Sequence, residues 1–161
     1  MKNQIDYHQV ESVTCSIDGV EQVCSLDQTS TPDSHWTLVL TAPDGTTWTG
    51  AGQGLWTAFL ELRRQLEPAG YTLCCAGARL DANMRGGRWS DGDIVDILSR
   101  RTLLGFQHKA LLLDYAPVAK TATVAEQSAR YDRWLATPWW RALLPGDPVC
   151  CALSTPNFGD R

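Results

Sequence analysis

Three groups of residues in this chain have the types needed for site chemistry. The first is sulfur and imidazole: six cysteines, with Cys74-Cys75 and Cys150-Cys151 adjacent, and three histidines, His8, His35 and His108. A cysteine nucleophile needs a thiolate beside a base, and the base needs an orienting group. Cys74 or Cys75 with His108 meets the first condition if the two lie on neighbouring strands, but no third group is marked. Buried structural thiols and surface imidazoles are the simpler expectation. No Cys-x-x-Cys occurs, so neither a zinc knuckle nor a dithiol redox motif is written here.

The second group is acidic. Asp81, Asp91, Asp93 and Asp96 fall in or beside a loop rich in glycine and charge, residues 79 to 93. Carboxylates there could hold a divalent ion, but the spacing is not that of a calcium loop and no histidine is near. A solvated turn is the expectation, with no metal and no other cofactor. The third group, Gly50-x-Gly52-x-Gly54 before a helix, has the look of a phosphate cradle but lacks a following Lys-Ser/Thr and a βαβ unit. A flexible lead into the helix is expected instead. What remains is contact chemistry. Trp89 sits in the loop between Arg88 and Asp91, and tryptophan and arginine are favoured anchors of protein interfaces. Arg85, Arg88, Trp89, Asp91 and Asp93, together with Asp18 and Glu21 from the acidic N-terminal third, are the expected partner-binding residues.

Charge supports a partner of one kind. The chain has 161 residues and a formal net charge of −4. Residues 1 to 50 hold one base, Lys2, against seven acids, while the rest hold thirteen bases and eleven acids. An acidic third disfavours direct nucleic-acid binding, which needs a basic footprint. It suits a basic protein drawn in by electrostatic steering. No apolar run approaches a membrane span, and the first residues lack the apolar core of a secretion signal, so a cytoplasmic protein with no membrane contact is expected.

The elements that must position these residues follow from periodicity. Asp18-Gly19 is a two-residue hairpin turn. It pairs Ile17 with Val20, Cys15 with Gln22 and Val13 with Cys24, and it collects Val13, Cys15, Ile17, Val20 and Cys24 on a core face. Ser12, Thr14, Ser16, Glu21 and Ser25 take the wet face. Cys15 and Cys24 are then diagonal, and no bond between them is expected. A polar stretch from Asp27 to Ser34 leads to a second hairpin, His35 to Thr41 and Thr46 to Thr49, turned by Pro43-Asp44-Gly45. Residues 50 to 54 break the sheet. Leu55, Phe59, Leu62 and Leu66 mark an amphipathic helix, with Arg63, Arg64, Gln65 and Glu67 on its other faces and Pro68 and Gly70 ending it. Tyr71 to Ala78 reads as a central strand, Ile94 to Leu98 as a strand rather than a helix turn, and Lys109 to Tyr115 as a buried strand. Thr123-x-x-Glu126 is a capping box opening a helix with a stripe of Val124, Tyr131, Trp134 and Leu135. Pro138 opens a second short helix with Trp139, Trp140, Leu143 and Leu144, and residues 146 to 161 form an irregular tail. Trp36, Trp48, Trp56 and Trp134 are expected in the core.

The whole is one α+β domain, residues 1 to 161. An antiparallel sheet is built from hairpins, one main helix follows the second hairpin, and a C-terminal helix packs on it.

Leu62-Arg-x-x-Leu66-Glu67-x-x-Gly70 at the helix end, Cys75-x-Gly77-Ala78-Arg79 after it, and Thr123-Val-Ala-Glu-Gln127 through Arg133-Trp-Leu135 resemble small bacterial immunity-type proteins associated with polymorphic or contact-dependent toxins. The resemblance spans roughly residues 50 to 136. It departs where that family has a Ser-x-Met…Met-Gly-Gly-Gly loop; here the segment reads Asn83-Met84-Arg85-Gly86-Gly87-Arg88-Trp89. The resemblance implies an immunity protein, not an enzyme, that binds a cognate protein toxin, such as a basic nuclease, and masks its active site. Two other readings stay open: a small enzyme using the 79 to 96 loop or a Cys-His pair, and a structural adaptor that dimerises through Trp139-Trp140.

Overall fold

The computed structural model describes residues 6–84, 93–98 and 108–138. Strands β1 (Tyr7–Ile17) and β2 (Val20–Ser30) form the first hairpin. Its two turn residues, Asp18 and Gly19, both have positive φ, 50° and 78°, the twist a two-residue turn needs to match paired strands. The register places Ile17 opposite Val20, Cys15 opposite Gln22 and Val13 opposite Cys24, as alternation requires. Val13, Cys15 and Cys24 are buried, and Cys15 and Cys24 are diagonal free thiols. Two side chains depart from the expected faces. Val20 shares the inner face but is 66% exposed, because it lies beside the turn and past the packed interior. Ser16 lies on the outer face but is buried, flanked by a strand that pairs it with Thr72.

The hairpin is also longer than the apolar pattern indicates. β2 continues to Ser30 through residues read as a linker, since Gln28 and Ser30 take inward positions yet are polar. Strands β3 (His35–Thr41) and β4 (Thr47–Gln53) form the second hairpin. Its turn is held by Asp44, whose Oδ1 accepts the Thr46 N–H at 2.8 Å.

Residues 50 to 53 do not break the sheet; they complete β4. Glycines there read as punctuation, but their purpose is close approach. A Cβ on Gly50 would stand 2.3 Å from both the Ala58 carbonyl oxygen and the Leu62 nitrogen, so helix α1 (Leu55–Leu66) lies directly on the strand backbone. Leu55, Phe59, Leu62 and Leu66 are all buried against the sheet. Burial of a side chain such as Phe59 contributes roughly 1.5–3 kcal/mol.

Strand β5 (Tyr71–Leu73) pairs antiparallel with β1, giving the order β4-β3-β2-β1-β5. The expected central strand over 71–78 is therefore a three-residue edge strand. Beyond it the chain enters a 3-10 turn at Ala76–Ala78, and its apolar residues are buried by packing rather than by a ladder. A Cβ on Gly77 would meet Leu112 Cδ1 at 2.4 Å and Phe59 Cε1 at 2.9 Å. Although β4 and β5 are opposite edges of the sheet, Trp48 and Tyr71 meet with ring centroids 4.6 Å apart. The sheet curls so that its two edges converge around α1.

A second sheet contains β6 (Ala82–Asn83), β7 (Ile94–Ile97) and β8 (His108–Leu111) in that order. The strand expected at 94–98 is present. The one expected over 109–115 is shorter, because the chain leaves the ladder at Leu112. There the Asp114 carboxylate accepts the Leu111 N–H at 3.0 Å, and the Leu112 side chain is buried in the main core.

Helix α2 (Val124–Ala136) opens with the full capping box: Thr123 Oγ1 accepts the Glu126 N–H, and the Glu126 carboxylate accepts the Thr123 N–H. Val124 and Trp134 are buried and Tyr131 is half-buried, while Leu135 is 46% exposed and leaves the expected stripe. Trp56 is buried, and Trp36 and Trp48 are half-buried at the core margin. Among the described residues no helix is long and apolar enough to cross a membrane. The expected short helix at 138–144, Trp139-Trp140 and the 146–161 tail fall almost wholly outside the described residues.

Candidate functional site

Odd-numbered β1 residues point to the concave face of the sheet. Val13 and Cys15 lie in the core there, but Tyr7, Gln9 and Glu11 lie toward the strand's start, where the face opens out of it. The same open end holds Gln28 and Ser30 on β2, Trp36 on β3, and Leu55 at the start of α1. Asp93 and the Leu111–Asp114 turn stand opposite. Together they enclose a cleft of about 730 Å³.

The cleft is anionic. Asp6, Glu11, Asp93 and Asp114 line it, and among its described lining residues there is no lysine, arginine or histidine. Its sheet wall belongs to a wider pattern, since no lysine or arginine occurs from residue 3 to residue 62. Strands β1 and β2 therefore carry Glu11, Glu21 and Asp27, and no lysine or arginine lies on any of β1 to β4.

Short local bonds shape the wall. Tyr7 Oη donates to Gln9 Oε1, and Gln9 Nε2 donates to Glu11 Oε1, which ties three successive inward side chains into one row. Partial burial, and then the nearby Glu11 and Asp93 carboxylates, hold the Tyr7 hydroxyl above its ordinary value. The Tyr7 and Trp36 rings lie 5.3 Å apart at 51°. At the floor, Gln28 is 5% exposed, and among the described residues its side-chain amide has no hydrogen-bond partner.

Of the partner-binding residues expected from sequence, Asp93 lies in this cleft. Asp18 and Glu21 do not join it. Asp18 turns the hairpin seven residues beyond Glu11, about 23 Å along an extended strand. Glu21 accepts the Tyr115 hydroxyl at 3.1 Å. Arg85, Arg88, Trp89 and Asp91 lie outside the described residues; their segment ends at Asp93, on the cleft wall. Sequence reading missed Asp6, Glu11, Asp114, Tyr7, Gln28 and Trp36 as site residues. A signal existed in β1, where the period-two row Tyr7, Gln9, Glu11 is polar and its continuation Val13, Cys15, Ile17 is apolar. That change marks the point where an inward face leaves the core.

The other chemical candidates are placed elsewhere. Burial pushes the Cys75 thiol up to about 11 despite the pull of the Arg63 guanidinium, and burial likewise raises Cys15 and Cys74. His108 is exposed and pairs with Ile97 at the start of β8. His35 is exposed, and His8 Nε2 lies 3.0 Å from Asp27 Oδ1 on the outer face of the sheet. Asp81 is held by Arg79 through two bonds of 2.8 and 2.7 Å. Among the described residues no three of His, Cys, Asp and Glu come together as a metal-ligand set.

Arg63, Glu67 and Gln127 take part in one buried polar knot. Arg63 donates to Gln127 Oε1 at 2.7 Å and also to the Ala122 carbonyl. Gln127 Nε2 donates to the carbonyls of Gly77, Arg79 and Ala82 at 2.8–2.9 Å. Glu67 accepts the Val124 N–H at 2.7 Å, at the positive end of the α2 dipole. These motif residues fasten α1, the 3-10 turn and α2 to one another. They form the framework behind the site. No family model matches the chain, and comparison with curated proteins finds no similar sequence.

Proposed function

We propose that this chain is a protein-binding module that neutralises a basic partner, an immunity protein that masks the active site of a cognate toxin. The observation that carries this reading is the cleft: four carboxylates, two aromatic rings and no cationic side chain among the described lining residues. Such a surface attracts a cationic protein from a distance and repels nucleic acid. If the toxin is a nuclease, the carboxylates take the place of the phosphates it seeks. Arg63, Glu67 and Gln127, from the segments that resemble immunity-type proteins, are occupied in the buried knot. That leaves recognition to the cleft and to the segment that ends at Asp93.

The test is co-expression with the product of the adjacent reading frame. A complex that survives gel filtration and restores growth supports the reading. Absence of both a complex and rescue ends it.

A further inference from the structure

We infer that the cleft is a seat for one guanidinium group: an arginine side chain of the partner enters beside Tyr7 and Trp36, pairs with Asp93, and is met at its inner end by Gln28 and Ser30. This rests on reading the cleft as a protein-docking surface.

The floor is what distinguishes the cleft from an acidic patch. Gln28 and Ser30 are 5% and 7% exposed, both line the cavity, and neither side chain has a hydrogen-bond partner among the described residues. Both residues are covered by their neighbours, yet their polar atoms are not sealed inside the protein: they open onto the cleft, where the donors of an incoming group can reach them. The walls ask for donors as well. Glu11 receives Gln9 on one oxygen and Asp114 receives the Leu111 N–H on one oxygen, leaving each a second oxygen to offer. Among the described residues the Asp93 carboxylate has no side-chain bond.

Arginine fits this set better than lysine. Its planar guanidinium carries five donors, is weakly hydrated and stacks on aromatic rings, whereas an ammonium is a compact, strongly hydrated point charge. Acceptors spread over three carboxylates, an amide oxygen and a hydroxyl suit a fork of donors. The volume of about 730 Å³ leaves room for the backbone that delivers the side chain.

The experiment titrates the isotope-labelled full chain with N-acetyl-arginine amide, and in parallel with the lysine and citrulline counterparts, following backbone amides and indole N–H groups. Saturable shifts at Tyr7, Gln28, Ser30 and the Trp36 indole are expected. The arginine probe should bind about tenfold more tightly than citrulline, with lysine between them. Gln28→Leu and Asp93→Asn should each weaken it by about tenfold; Asp93 is exposed, so that variant decides the matter if Gln28→Leu does not fold. Equal binding of citrulline, or shifts scattered over Asp18, Glu21 and other surface acids, would overturn the seat. A partner complex that forms, restores growth and ignores both substitutions overturns the seat and leaves the proposed function standing. Probe binding in the cleft without any partner complex supports the seat and removes that function.

Discussion

Arg63 on α1 and Gln127 on α2 meet at 2.7 Å, guanidinium N–H to amide oxygen, although 64 residues separate them and each is only 3% exposed. The pair works as a relay. Arg63 orients the amide of Gln127, and the amide holds three carbonyls of the segment that connects the two sheets. Gln127→Ala removes the donors shared by the Gly77, Arg79 and Ala82 carbonyls and takes one acceptor from the guanidinium, which keeps the Ala122 carbonyl and Glu67. We predict a loss of roughly 2–4 kcal/mol in urea unfolding. Arg63→Leu should cost a similar amount, and the double substitution less than the sum of the two, since the residues share one network.

Gly50→Ala should destabilise through contact rather than conformation. Its new methyl would overlap the backbone of α1 at Ala58 and Leu62, and the helix must move off the sheet. A loss of roughly 2–4 kcal/mol is expected. Gly19→Ala is the control: it has open space around it and φ of 78°, so only the turn strain of about 1–2 kcal/mol applies. Chemical denaturation of the two variants compares the effects directly.

The buried thiols fix the sign of an alkaline dependence. In the unfolded chain Cys75 releases its proton near 9, and in the folded protein near 11. Between those values the unfolded state binds fewer protons, so stability falls as pH rises through that window and levels off above it. The Cys75 contribution is roughly 2–3 kcal/mol, and Cys15 and Cys74 act in the same direction. Unfolding midpoints measured from pH 8 to 11 should decline, and Cys75→Ser should shallow the slope.

The α2 cap has its own acid dependence. The Glu126 carboxylate is held below its usual range by the Thr123 N–H and hydroxyl. Its stabilisation is therefore present above the ordinary carboxylate value and lost as pH falls through the lower folded value. Thr123→Ala should cost about 1 kcal/mol near neutrality, and less once the carboxylate is protonated. Helix content followed by circular dichroism over an acid titration checks both statements.

Local chemistry made much of the fold legible. Asp18-Gly19 set the turn and thereby the register of β1 and β2, and Thr123 with Glu126 set the start of α2. Leu55, Phe59, Leu62 and Leu66 marked the buried stripe of α1. The departures share one physical cause: tertiary contacts overrode local preference. Gly50 and Gly52 look like sheet breakers until a helix lies on them. Cys74 to Ala78 look like a strand, but they make only an isolated bridge, Cys75 with Tyr115, before a 3-10 turn in which Gly77 lies against Phe59 and Leu112. The site was hidden for a related reason. Gln28 and Ser30 are polar residues at inward positions, and without the register between β2 and β1 they read as linker. Asp6 and Asp114 are brought together only by the meeting of two sheets, which leaves no spacing in the sequence.

The cleft carries the proposed function, so the most direct measurement compares two charge reversals in the affinity for the co-expressed partner. One is Glu11→Lys with Asp93→Lys inside the cleft, and the other is Asp18→Lys with Glu21→Lys at the hairpin tip, each checked for an unchanged melting curve. The prediction is a loss of roughly a hundredfold or more for the cleft pair and little change for the tip pair. Binding that survives reversal of the cleft and fails on reversal of the tip would contradict it.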